Sequence, residues 1–202
     1  VKVYDAYDPA AREVFWKYMN KNLFSIGMDG WWLDATEPEH SPVKDIDFDY
    51  RTYLGSFRKV RNAFPLVSVG GVYDHQRQVS SDKRVFILTR SAFAGQQRYA
   101  AQAWSGDVAS DWTGLHNQIS GALNLSLTGI PYWNSDIGGF FSAYKFPEGI
   151  KDQAFHEFYV RWMQFAVFTG MMRSHGTHTP REIFNFGERG YWAFDAQEKM
   201  IN

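Results

Sequence analysis

Cysteine is absent from the 202 residues, which excludes disulfides and thiolate metal sites. Its absence leaves the compartment open, because many exported proteins also lack it. A charge imbalance is absent too. Lys and Arg total 21 against 22 Asp and Glu, interspersed for a net −1, so nothing points to a nucleic acid or an anionic membrane as partner. No apolar run is long enough to cross a bilayer, and neither a signal-peptide pattern nor a low-complexity tract occurs. Position 1 holds Val rather than Met, and we expect a processed or excised piece. Several chemical signatures are also missing: the Gly-x-Ser-x-Gly elbow, the Walker loop, and the glycine-rich turn that a doubly wound sheet places after its first strand. Aromatic residues are abundant at 18%, with 8 Trp, 11 Tyr and 17 Phe. That wealth suits stacking on sugars or bases and equally suits an aromatic core. The length suffices for one domain with a substantial core.

Punctuation and periodicity divide the chain into alternating elements. Asp8-Pro9 reads as an N-cap with proline at the first helical position, and Val14, Phe15, Tyr18, Met19 and Leu23 recur at helical spacing, giving an amphipathic helix over 9–24. Gly27 and Gly30 lead into a strand, Trp31–Asp34. Tyr50, Tyr53, Leu54, Phe57, Val60 and Phe64 fit a helix stopping at Pro65; Leu66, Val67 and Val69 then suggest a strand, and Gly70-Gly71 a break. Val85–Thr89 is a short, wholly apolar run of the kind buried on both faces of a parallel sheet, ending at Arg90. Ser91–Gln102 reads as a polar segment with a short helix. Trp112, Leu115, Ile119, Leu123 and Leu127 mark a second helix, stopped by Gly129. Ile130–Trp133 reads as a strand running into Asn134-Ser135-Asp136. Phe155, Phe158, Tyr159, Trp162, Phe165 and Ala166 define a third helix closed by Gly170, and Met171–Arg173 a short strand before His175. A polar loop and a further helix complete the chain. Strand–helix alternation argues for an α/β fold with a parallel sheet. Chemistry spread over successive strand ends is the habit of the (β/α)8 barrel, which takes about 250 residues and eight strands. The expectation is therefore part of such a barrel.

Some local patterns fail on their own chemistry. Asp45-Ile46-Asp47-Phe48-Asp49 resembles the start of a calcium loop, but Tyr50 replaces the required glycine and Ser56 the bidentate glutamate. His156-Glu157 begins a zinc-protease pattern that Val160 breaks, and His175 and His178 have no acidic third ligand nearby. No metal or cofactor is expected. Asn124-Leu125-Ser126 matches a glycosylation sequon inside an expected helix, an accidental match.

Two strand-end aspartates, Asp34 and Asp107, remain. Cleaving a glycosidic bond needs one carboxyl to protonate the departing oxygen and another to meet the cationic sugar centre. An apolar neighbour such as Trp104 favours the protonated form of the first, and a cation such as Arg90 or Arg173 the ionised form of the second. An aspartate at such a place equally serves as a turn cap.

Four ordered segments resemble glycoside hydrolase family 31. Trp31-Trp32-Leu33-Asp34-Ala35-Thr36-Glu37-Pro38-Glu39 is similar to its nucleophile motif. Arg90-Ser91-Ala92-Phe93-Ala94-Gly95-Gln96-Gln97-Arg98-Tyr99, closing in Trp104-Ser105-Gly106-Asp107, resembles its acid/base segment. Tyr132-Trp133-Asn134-Ser135-Asp136-Ile137-Gly138-Gly139-Phe140 and Arg173-Ser174-His175-Gly176 match two further segments. The resemblance implies that residues 1–202 are an incomplete (β/α)8 barrel, about its fourth to eighth strands, from a retaining α-glycosidase acting on terminal α-xylose or α-glucose. It implies Asp34 as nucleophile and Asp107 as acid/base, with their carboxyls about 5–5.5 Å apart. Arg90, Trp104, Asp136 and His175 would line the sugar pocket. Trp31 and Trp32 would serve mainly as packing, and Arg173 either contacts substrate or supports Asp34. The Asp-Ala-Thr-Glu-Pro-Glu form resembles the family's α-xylosidases and neighbouring transglucosylases. A transglucosylase and a non-catalytic carbohydrate-binding relic are the alternatives. Expected partners are a carbohydrate substrate and the remaining domains of the full-length enzyme, without nucleic acid or membrane. The resemblance is compatible with a periplasmic or secreted protein.

Overall fold

The structure, a computed structural model, describes residues 3–38 and 45–202. The chain forms two compact units that meet in sequence between Ala103 and Trp104.

In the first unit, helix α1 (Pro9–Asn22) starts where the sequence places it: the Asp8 carboxylate accepts from the Ala10 N–H at 2.9 Å. Its core face is not the expected one. Trp16 and Met19 are buried, whereas Val14, Tyr18 and Leu23 are exposed. Trp16 meets the Trp31 ring edge-on at 5.9 Å, and that large contact decides which stripe turns inward. Strand β1 (Trp31–Leu33) follows the 3-10 turn Phe24–Ile26, which ends at Gly27. Residues 39–44, which include the last residue of the Trp31–Glu39 motif, lie outside the described residues.

The helix expected to stop at Pro65 is corrected. A small hairpin, β2 (Arg51–Thr52) and β3 (Gly55–Ser56), precedes a single turn, α2 (Phe57–Val60). Pro65 then opens helix α3 (Phe64–Val79), serving at the position where its missing N–H costs nothing. The expected strand and break at 66–71 are therefore helix. Gly70 and Gly71 lie inside α3 because neighbours approach its backbone: an added Cβ would sit 2.8 Å from the Tyr99 ring and 2.6 Å from Arg12 Cδ, respectively. Close packing outweighs the helix cost of glycine, about 1 kcal/mol each.

Strand β4 (Ile87–Thr89) runs parallel to β1, with Trp31 opposite Ile87 and Leu33 opposite Thr89. Strand β5 (Ala101–Trp104), which begins inside the segment expected to be polar with a short helix, pairs parallel with β4 through Ile87–Ala101 and Thr89–Ala103. Val69 and Val72 of α3 pack with Trp31, Val85, Ile87 and Ala101 in one core cluster.

The second unit contains α4 (Trp112–Leu127), β6 (Trp133–Asn134), the single turn α5 (Ser142–Lys145), α6 (Gln153–Ala166) and α7 (Trp192–Ile201). Asp111 and Asp152 cap α4 and α6 by accepting from Gly114 and Ala154 N–H. Of the apolar ridge on α4 only Leu115 is buried; Leu123 and Leu127 are exposed. Helix α6 carries the core, with Phe155, Phe158, Tyr159, Trp162 and Met163 packed with Phe186 and Ala193. The strand expected at Met171–Arg173 is reduced to one parallel bridge, Ile137 to Ser174. His156 of the broken zinc pattern is a core residue, its Nε2 2.6 Å from the Ile150 carbonyl.

Candidate active site

The parallel register of β1 and β4 places the residues after Leu33 and Thr89 side by side, and these are Asp34 and Arg90. Arg90 Nη1 lies 3.2 Å from Asp34 Oδ1. The same guanidinium grips Glu37 with two bonds, Nε to Oε1 at 2.7 Å and Nη2 to Oε2 at 3.2 Å. Arg90 is 14% exposed against 41% for each acid, so the cation is sunk while the carboxylates reach solvent. A cation held this way restricts the orientation of Asp34.

The turn after Asp34 is built to hold that pose. Ala35 adopts a left-handed φ of 55° and returns its N–H to Asp34 Oδ1 at 2.8 Å. Below it, buried Thr36 and Thr89 share a hydroxyl hydrogen bond of 2.7 Å, and Ser91 Oγ donates to Thr36 Oγ1 at 3.0 Å. Glu37 went without a role in the sequence reading. Its position three residues after Asp34 was the only signal, and nothing local says that one arginine spans both acids.

In the second unit, Asp107 lies exposed three residues beyond β5. Trp104, closing that strand, is 3% exposed and lies beneath the Arg173 guanidinium, whose carbon is 5.3 Å from the ring centroid. Arg173 pairs with Asp136, a partner the sequence does not name for it, and its Nε reaches Asn134 Oδ1 at 3.4 Å. Asp136 is fully buried, and its second oxygen, Oδ2, accepts no hydrogen bond among the described residues. Burial pushes its carboxyl up to about 7; the Arg173 cation opposes that rise, Asp107 adds to it, and Arg181 opposes it. A group so poised can accept or donate a hydrogen bond near neutrality.

The segments bearing Asp107 and Asp136 are tied together. Ser105 N–H donates to the Asn134 carbonyl at 3.3 Å, and Phe140 N–H to the Val108 carbonyl at 2.9 Å. Gly139, at φ 72°, lets this happen: a Cβ there would sit 2.5 Å from Ser110 Oγ and 2.8 Å from the Ala109 carbonyl oxygen. His175 is half-buried, its ring 5.6 Å from Phe140, on a segment whose Arg173 carbonyl accepts from Ile137 N–H at 3.1 Å. Each unit thus assembles its own expected residues: Asp34 and Arg90 in the first, Trp104, Asp107, Asp136 and His175 in the second. Among the described residues no group of three potential ligands could hold a metal ion.

The family model described as the glycosyl hydrolases family 31 TIM-barrel domain matches residues 1–202. The chain belongs to glycosyl hydrolase family 31. Its fold is a portion of the family 31 TIM barrel. An alpha-xylosidase of Saccharolobus solfataricus is 45% identical over 190 residues, covering 91% of this chain and 24% of that protein. The chain therefore spans about a quarter of the length of that family 31 relative. Among solved structures, the family 31 alpha-xylosidase of Xanthomonas citri superposes with a TM-score of 0.86 at 39% identity, over 95% of this chain and 21% of the other. A family 31 dextranase of Flavobacterium johnsoniae complexed with glucose gives 0.85 at 30% identity, over 98% and 24%.

Proposed function

We propose that the protein carrying this chain is a retaining α-glycosidase that removes terminal α-linked xylose, or glucose, from oligo- or polysaccharides, and that residues 1–202 are part of its catalytic barrel domain. The observation that carries this reading is Asp34, placed at a strand end, locked by Arg90 and its own turn, on a chain matched throughout by a glycosidase family's barrel domain. An ionised carboxylate with fixed direction is what attack on an anomeric carbon requires.

In the first step Asp34 forms a bond to the anomeric carbon as the bond to the leaving oxygen breaks, and Asp107 gives its proton to that oxygen. In the second, water attacks the same carbon, Asp107 takes its proton, and the bond to Asp34 breaks. Retention of configuration follows from the two inversions. Arg90 keeps Asp34 aimed. Trp104, Asp136 and His175 grip the sugar, the first as an apolar wall and the others as hydrogen-bonding groups. Names of relatives from Saccharolobus solfataricus and Xanthomonas citri support xylose over glucose. The remaining domains of the longer protein are the chain's proposed covalent partners.

The test is turnover by the full-length enzyme of matched aryl α-xyloside and α-glucoside, which differ by one hydroxymethyl group. Turnover of the xyloside is expected, with retention, and its loss in Asp34→Ala. A fluoroglycoside inactivator should label Asp34. Turnover of neither substrate, or labelling elsewhere, would refute the assignment.

A further inference from the structure

Arg181 is a charged side chain that the chemistry above does not use. It lies in the loop after His175, 6% exposed, with its guanidinium surrounded by backbone. Nη1 donates to the carbonyls of Ile137 at 2.9 Å, Gly139 at 2.8 Å and His175 at 2.6 Å. That nitrogen has two protons, so one of these bonds is shared. Nη2 donates to Ser142 Oγ at 3.0 Å and Nε to the Thr179 carbonyl at 3.3 Å. The guanidinium carbon also lies 5.7 Å from the centroid of the Phe155 ring in the unit's core.

These acceptors belong to two segments, and each carries a residue proposed to grip the sugar. Ile137 and Gly139 follow Asp136; His175 supplies its own carbonyl. The segments also run against each other. Ile137 bridges to Ser174, and Thr177 N–H donates to the Phe140 carbonyl at 2.9 Å. Two glycines make room for the cation. A Cβ on Gly176 would fall 2.3 Å from the guanidinium carbon, and one on Gly138 3.3 Å from Nη1. Tyr159 closes the far side, its hydroxyl donating to Ser174 Oγ at 2.8 Å.

A buried guanidinium that makes five hydrogen bonds, four of them to carbonyls, acts as a fixed junction. Lysine, with one nitrogen, cannot reproduce that fork. We propose that Arg181 is a positioning residue, which fixes Asp136 and His175 relative to each other by binding the backbone carbonyls beside both. It touches no substrate and moves no proton. Its contribution is to hold two sugar-binding side chains at one spacing, where small misplacements weaken the transition state. The inference rests on the glycosidase reading for its consequence, and on the backbone contacts alone for its geometry.

The experiment uses the full-length protein with Arg181→Lys and Arg181→Met. Two readouts are taken: kcat/KM on an aryl α-xyloside, and hydrogen exchange of the Ile137 and Thr177 amides. The expected result is faster exchange at both amides in Arg181→Lys, together with a kcat/KM loss of about 10- to 100-fold. The loss should fall on kcat more than on KM, since ground-state binding tolerates misplacement better than the transition state does. Should Arg181→Met fail to fold, Arg181→Lys, which keeps the charge, decides alone. Faster exchange with kcat/KM within twofold of wild type would reduce Arg181 to a structural clamp and overturn the proposal. Unchanged exchange would overturn it as well. An inactive wild type would instead defeat the glycosidase reading, and the exchange data would still report on the junction.

Discussion

Replacing Arg173 with methionine removes the cation in direct contact with Asp136 while keeping most of the apolar stem over Trp104. Asp136 is fully buried with one oxygen unpartnered among the described residues, and its carboxyl is pushed up to about 7 because burial outweighs the attraction of Arg173. Arg173 stabilises the ionised form, so its loss lets Asp136 hold its proton to higher pH. A hydrogen bond to a charged group contributes about 1.5–3 kcal/mol, and one pKa unit corresponds to about 1.4 kcal/mol. The midpoint should therefore move upward by about 1–2 pH units, since Asp107 and Arg181, the other charges acting on Asp136, are unchanged. If the ionised carboxylate grips the sugar, kcat/KM of the full-length enzyme rises with pH through a limb near 7. That limb should move by the same amount in Arg173→Met and vanish in Asp136→Asn. The assay is kcat/KM on an activated aryl α-xyloside across about pH 5 to 9, with proton-linked limbs fitted in each variant. The plateau will fall as well, because Arg173 also bonds Asn134, but only the limb's position reports on charge. Superimposable limbs in wild type and Arg173→Met would refute the assignment of Asp136 as the titrating sugar ligand.

Asp107→Ala should slow substrates with poor leaving groups by about 100-fold or more while activated aryl glycosides lose far less, since only the former need a proton. Equal losses on matched substrates would argue against the acid role. Gly139→Ala should destabilise the protein by about 2–5 kcal/mol, combining left-handed strain with overpacking. The crowding comes from Ser110 and the Ala109 carbonyl, and tryptophan fluorescence in a denaturant series reads the loss. An unchanged midpoint would mean that the two loops are not in contact.

Much of the scaffold was legible in the residues themselves. Asp8-Pro9, Asp111 and Asp152 announce helix starts because capping is settled within one turn of chain. Apolar runs ending at Asp34 and Arg90 announce strand ends, because a strand buried on both faces leaves a polar residue only where it leaves the sheet. The four family segments brought the site residues with them. What failed was whatever depends on a neighbour distant in sequence. Gly70-Gly71 reads as a break, and becomes helix because Tyr99 and Arg12 press on its backbone. Strand β5 is too short and small-residued to show as a strand until β4 pairs with it.

The order of residues alone carried the resemblance to family 31, the parallel strand–helix rhythm, and the expectation that Asp34 and Asp107 act on a sugar that Arg90, Trp104, Asp136 and His175 hold, the last four through that resemblance only. Only the tertiary structure decided that Arg90 is shared between Asp34 and Glu37, that Arg173 belongs to Asp136, and that Arg181 joins two loops through their carbonyls. The physical reason is that a charge chooses its partner by distance and burial. Both are fixed when remote segments pack, and neither is written in the order of residues along the chain.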